Sequence, residues 1–134
     1  MILTQTTEYA LRTLALMSQD AHAIWSSTVL HRRLGIPRKY LQRVLTDLVR
    51  SGLLRSTRGR AGGYALARST TRITLAQVID AVEGLAATPS CFFGFGTCPM
   101  DNPCAMHEVW TRHQKDIFRT LATTRLADLV ARRP

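Results

Sequence analysis

The chain has 134 residues, 46% of them hydrophobic, and a formal charge of +9, which is one domain's worth of sequence with a modest core. The apolar runs are short and broken by Arg, Thr or Gln, which excludes a membrane span, and Met1-Ile2-Leu3-Thr4-Gln5 lacks the basic and apolar regions of a secretory signal. A cytoplasmic protein is expected, in a reducing compartment where three cysteines ligate metals or sense oxidants rather than form structural disulfides.

Residues 1–31 carry one Arg against Glu8 and Asp20, residues 32–72 hold eleven Lys or Arg against Asp47 alone, and residues 73–134 hold six of each sign. Essentially all the excess charge therefore lies in the middle segment. A solubility feature or a membrane-surface patch needs no such concentration. A polyanion partner accounts for it.

In chain order, Thr4 or Thr6 can cap a first helix with Ala10, Leu11, Leu14 and Met17 at helical spacing, ending near residues 20–21. Ser26 is placed to cap a short second helix, with Trp25 able to staple onto Leu30 and Gly35 at the C-terminal cap. Pro37 sits at or just before the first turn of a third helix. There Leu41, Val44, Leu45, Leu48 and Val49 form one buried stripe, and Arg38, Lys39, Gln42, Arg43, Thr46 and Arg50 form the other face, closed by Gly52. Two helices around a tight turn, the second basic on its free face, predict a helix-turn-helix. The runs 53–58 and 64–67 flank a Gly-rich 59–63 and predict a hairpin wing with Arg58 and Arg60 at its tip.

Thr74-Leu75-Ala76-Gln77 is a capping box opening a fourth helix through Val78, Ile79, Ala81 and Val82, stopped by Gly84. After a loop rich in Gly, Pro and Phe, Asn102-Pro103 is read as the start of a fifth helix with an apolar stripe of Met106, Trp110, His113, Ile117 and Leu121. Thr124 is read as the cap of a last helix bearing Leu126, Leu129 and Val130. The expected fold is mainly α with a small β-hairpin wing. Its expected parts are a winged helix-turn-helix DNA-binding domain over 1–84, a cysteine-bearing loop over 85–104, and a dimerisation helix with a C-terminal helix over 103–134. Met106, Trp110, Ile117 and Leu121 are more than so short a chain buries alone and form the expected dimer interface.

Two constellations carry chemistry. The third helix suits a DNA major groove, and the candidate DNA contacts are Ser26, Thr28, Arg38, Lys39, Tyr40, Gln42, Arg43, Arg58 and Arg60. Gln pairs bidentately with adenine and Arg with guanine or a phosphate, so the sequence leaves open which of them positions and which specifies. Arg58 or Arg60 suits a narrow A·T minor groove.

The second constellation is Cys91, Cys98 and Cys104, spaced by six and five residues, with His107 shortly after. On a helix Cys104 and His107 would share a face, and a first-turn position would favour the Cys104 thiolate. Such thiolates can hold the iron of an iron–sulfur cluster, or zinc, and spacing leaves both open. Phe92, Phe93 and Phe95 could shield that site. Three ordinary small hydrophobes would not need to cluster in this way. No nucleophile elbow, phosphate loop or zinc-protease helix occurs, so an enzyme is not expected.

Over nearly its whole length the chain resembles the IscR/NsrR-type iron–sulfur transcription regulators. The likeness lies in Leu3-Thr4 with Glu8-Tyr9-Ala10-Leu11, Gly35-Ile36-Pro37 with Tyr40-Leu41, and Ser51-Gly52-Leu53-Leu54. It lies further in Arg58-Gly59-Arg60-Ala61-Gly62-Gly63-Tyr64 and in three cysteines before a long helix and Leu126-Ala127-Asp128-Leu129. The resemblance implies a homodimer with crossing fifth helices, an iron–sulfur cluster (2Fe-2S or 4Fe-4S) at the dimer interface, and palindromic double-stranded promoter DNA as target. It carries iron ligation over to Cys91, Cys98 and Cys104. The fourth ligand is His107 by the pattern of the cluster-assembly regulator, or Glu8 by that of the nitric-oxide-sensing branch, where the partner chain supplies it. The first Cys gap is one residue longer than the commonest pattern. A regulator governed by redox state, nitric oxide or iron and cluster status is expected. The alternatives are a cluster-free thiol-switch or zinc-stabilised regulator, and a DNA-binding protein that senses nothing.

Overall fold

The computed structural model describes residues 4–84, 91–93 and 102–131. Helix α1 (Gln5–Met17) starts where the Thr4 hydroxyl accepts from the Thr7 N–H at 3.5 Å. Its Ala10, Leu14 and Met17 are fully buried, as their spacing predicts. A 3-10 turn over Ser18–Asp20 follows. Helix α2 (Ser27–Leu34) is capped by Ser26, whose hydroxyl accepts from the Val29 N–H at 3.2 Å, and it stops at Gly35, where φ is +68°.

Pro37 is the N-cap of α3 (Arg38–Arg50), which buries Leu41, Val44, Leu45 and Leu48. Hydrogen bonds close the turn between the two helices. The Gly35 N–H donates to the His31 carbonyl at 2.9 Å, and His31 Nδ1–H donates to the Ile36 carbonyl at 2.7 Å. Ile36 itself is fully buried, so the turn is anchored to the core.

Strands β1 (Leu54–Thr57) and β2 (Gly63–Leu66) form the antiparallel wing, with Leu54 opposite Leu66 and Thr57 opposite Gly63. Gly63, expected in the turn, is the first residue of β2, because the ladder extends to it opposite Thr57; the chain at Trp25 pairs with Tyr64 next to it. Helix α4 (Leu75–Glu83) opens on the expected capping box: the Gln77 N–H donates to the Thr74 hydroxyl at 3.2 Å, and the Thr74 N–H to Gln77 Oε1 at 3.0 Å.

Helix α5 (His107–Thr123) starts later than Asn102-Pro103. The reason is a tight turn: the His107 N–H donates to the Cys104 carbonyl at 3.0 Å, three residues back, and the α-helical ladder begins only with Trp110 N–H to Met106 O at 2.8 Å. Cys104 therefore lies ahead of the helix, outside its first turn. It shares a turn with His107 and not a helix face. Within the single chain the most buried residue of α5 is not one of the expected stripe. His113 is exposed, and Gln114 is the buried centre of the α5 face; Met106, Trp110, Ile117 and Leu121 are half-buried on its flank.

Helix α6 (Leu126–Ala131) is not capped by the Thr124 side chain. That hydroxyl donates back to Thr120 O at 2.7 Å to finish α5, and the Asp128 carboxylate accepts the Arg125 N–H at 3.0 Å instead. The C-terminal segment returns to the core. Leu75 N–H donates to Thr124 O at 3.0 Å, Leu126 N–H donates to Ile73 O at 2.8 Å, and Leu126 is fully buried. Among the described residues no helix is long and apolar enough to cross a membrane.

Candidate functional site

The buried stripe of α3 turns its other face outward by helical geometry alone, so Arg38, Lys39, Tyr40, Gln42 and Arg43 are all exposed. Thr28 is exposed on α2 and Ser26 is half-buried as its cap. Arg58 and Arg60 are exposed at the wing tip, where Gly62 N–H to Gly59 O at 3.0 Å tightens the turn and Gly59 takes φ +103°. Among the described residues Arg50 pairs with Asp47 at 3.7 Å, whereas Arg38, Lys39, Arg43, Arg58 and Arg60 pair with no carboxylate. Their charge is directed outward without internal compensation.

A cleft of about 330 Å³ lies between the starts of α2 and α3, lined by Ser27, Arg38, Lys39, Leu41 and Gln42. Two cations and a serine around one cleft at the starts of two helices suit a phosphate. Ser27 was not foreseen in this role; its place directly after the cap residue was the available signal. Gln42 Nε2 donates to the Tyr64 hydroxyl at 3.3 Å, so α3 and the wing meet through side chains. The Tyr40 ring stands 6.4 Å from that of Tyr9 on α1. The Arg33 guanidinium lies 5.7 Å from the centroid of the Trp25 ring, at the base of the wing. Arg12 Nη2 donates to Leu34 O at 2.8 Å, fixing the end of α2 to α1.

Cys91 is half-buried and Cys104 exposed; Cys98 and Phe95 lie outside the described residues. Phe92 meets Trp110 edge-on at 5.4 Å and Phe93 edge-on at 5.2 Å, which sets residues 91–93 against the start of α5. His107, half-buried, is the first residue of that helix. Glu8 is exposed on α1, 3.8 Å from Arg12. Among the described residues no three His, Cys, Asp or Glu side chains gather into a metal site. The donor chemistry nevertheless fits an iron–sulfur group or zinc: Cys91 precedes the aromatic pair at the start of α5, and the imidazole of His107 follows Cys104 by one turn.

The Rrf2 family model, described as an iron-dependent transcriptional regulator, matches residues 3–132. An HTH-type transcriptional regulator of Azotobacter vinelandii, ORF2, is 37% identical over 123 residues, covering 92% of this chain and 73% of its own. Protein aau3 of Rhizobium meliloti (strain 1021) is 31% identical over 135 residues, covering 100% and 88%. Among solved structures, CymR of B. subtilis matches with a TM-score of 0.80 at 23% identity, covering 100% of this chain and 99% of that one. IscR of T. potens matches with a TM-score of 0.76 at 24% identity, covering 98% and 87%. The structural likenesses bear on the fold, and the family and the Azotobacter vinelandii relative are described as transcriptional regulators rather than enzymes. A match over nearly the whole chain, on a winged helix-turn-helix built as described, makes this protein a member of the Rrf2 family of DNA-binding transcriptional regulators.

Proposed function

We propose that two copies of this chain bind palindromic promoter DNA in the cytoplasm, and that an iron–sulfur cluster held by Cys91, Cys98 and Cys104 sets their affinity for it. The observation that carries the DNA reading is the run of uncompensated cations on α3 and the wing beside the cleft at Ser27. In this reading α3 enters the major groove with Gln42 and Arg43 toward base edges, while Ser27, Arg38 and Lys39 take phosphates. Arg58 and Arg60 reach the adjoining minor groove. A two-fold DNA site calls for a two-fold protein, and the half-buried Met106, Trp110, Ile117 and Leu121 supply the seam.

The three thiolates would hold iron, with His107 or Glu8 as a weaker fourth ligand. His107 is favoured because its backbone is bonded to Cys104, whereas Glu8 stands beside Arg12. When bound, the cluster supplies iron that reacts with oxidants or nitric oxide. Anaerobic purification followed by iron, sulfide and visible-absorption analysis tests this. Iron with acid-labile sulfide supports it; zinc, or no metal, overturns it.

One observation favours a second reading, a thiol switch without a cluster: Cys104 is exposed and so open to oxidants. CymR of B. subtilis, which shares the fold, is described as a global cysteine regulator. DNA binding by metal-free protein that responds reversibly to peroxide and thiol would favour this reading.

A further inference from the structure

We infer that Tyr64 sets the base preference of Gln42, by holding one N–H of its amide and so making the side chain select adenine over guanine. The inference rests on the proposal that Gln42 reads a base. An exposed glutamine on a helix surface turns freely, and a free amide presents donors and acceptor in several arrangements. Here Gln42 Nε2 donates to the Tyr64 hydroxyl at 3.3 Å.

Tyr64 is a fixed post. Its backbone N–H and carbonyl both bond to Trp25, each at 2.8 Å, its strand is paired to β1 opposite Ser56, and its half-buried ring packs on the core. The backbone and ring are therefore anchored by the wing and the core, and the hydroxyl extends from them to Gln42 on α3.

The consequence follows from counting hydrogens. The amide has two N–H donors and one carbonyl acceptor. With one N–H given to Tyr64, one donor and one acceptor remain side by side. That pair complements adenine, which offers N7 as acceptor and the N6 amino group as donor. Guanine offers two acceptors, N7 and O6, and needs both N–H groups at once. An untethered Gln42 can turn both toward guanine; a tethered one cannot. Tyr64 touches no base in this scheme, so it is a positioning residue.

The test uses the full-length protein. A randomised duplex library is enriched on wild type, and the position whose preference Gln42→Ala abolishes is identified. Affinities are then measured for duplexes bearing A or G there. Tyr64→Phe keeps the ring and should lower the A-over-G ratio by roughly three- to tenfold. Its affinity for a non-specific duplex, its salt dependence and its melting temperature should stay at wild-type values. In a Gln42→Ala background the same change should alter the ratio no further. A Tyr64→Phe protein with the wild-type ratio overturns the inference, and so does a further change in the Gln42→Ala background, which would mean that Tyr64 acts on DNA without Gln42. If Gln42→Ala leaves every position's preference intact, the base-reading proposal itself fails and takes this inference with it.

Discussion

The carbonyl of Trp25 lies so close to Gly63 that a Cβ at position 63 would stand 2.4 Å from its oxygen and 2.8 Å from its carbon. The obstacle is backbone, which cannot swing aside as a side chain can. This approach is what lets Trp25 pair with Tyr64 and fasten the wing to the entry of α2. Gly63→Ala should open that bridge and cost about 1–3 kcal/mol, as overpacking does. Gly35→Ala meets no atom within 4 Å but strains a φ of +68°, and should cost about 1 kcal/mol. Thermal denaturation of both variants checks the order; a Gly63→Ala protein as stable as wild type would contradict the close approach.

His31→Ala removes the 2.7 Å bond from Nδ1 to the carbonyl of buried Ile36, and with it one closure of the helix-turn-helix turn. A loss of about 1 kcal/mol is expected, with more if the carbonyl is left without a partner. Urea denaturation should show a lower midpoint with an unchanged slope.

DNA affinity should fall steeply with salt, because the cations of α3 and the wing displace counterions. Lys39→Ala should reduce the slope of log K against log salt by about 0.9 if it meets a phosphate. Arg58→Ala should weaken binding chiefly at sites with A·T-rich flanks, whereas Gln42→Ala should cost about 1–3 kcal/mol at one base pair. Anisotropy titrations at several salt concentrations separate these effects. Uniform weakening of all sequences by Gln42→Ala would remove it as a base reader.

A dimer built on α5 should be split by Ile117→Glu, which sets an unpaired charge in the half-buried flank beside Gln114. Sedimentation should then report monomer, with circular dichroism confirming that the helices remain. Wild-type protein that is monomeric at micromolar concentration would contradict the dimer.

What the sequence made legible was local. Ser26, Gly35, Pro37 and the Thr74–Gln77 capping box each act within a few residues of themselves, so their types announce the helix ends they make. The stripe of α3 likewise dictates which face carries the cations. What escaped depends on partners remote in the chain. Nothing near Trp25 or Tyr64 announces that they pair, nor that Gln42 reaches the wing. At the start of α5, Pro103 was compatible with a helix, but the His107 N–H chose the carbonyl three residues back over the one four back. Gln114, buried on α5 within the single chain, also escaped, because periodicity of apolar residues cannot identify a buried glutamine. The cysteine spacing was plain in the sequence, yet the ligand set is a matter of three-dimensional assembly and, for Glu8, of a second chain.

The most direct measurement of whether a cluster governs DNA binding is the affinity of anaerobically prepared wild-type protein for its enriched duplex, before and after the iron is removed by chelation, alongside Cys104→Ala. The prediction is that chelation changes specific affinity at least about tenfold, leaves non-specific affinity in place, and gives a protein that binds like Cys104→Ala. Equal specific affinity with and without iron would contradict control by a cluster, even for a protein that carries one.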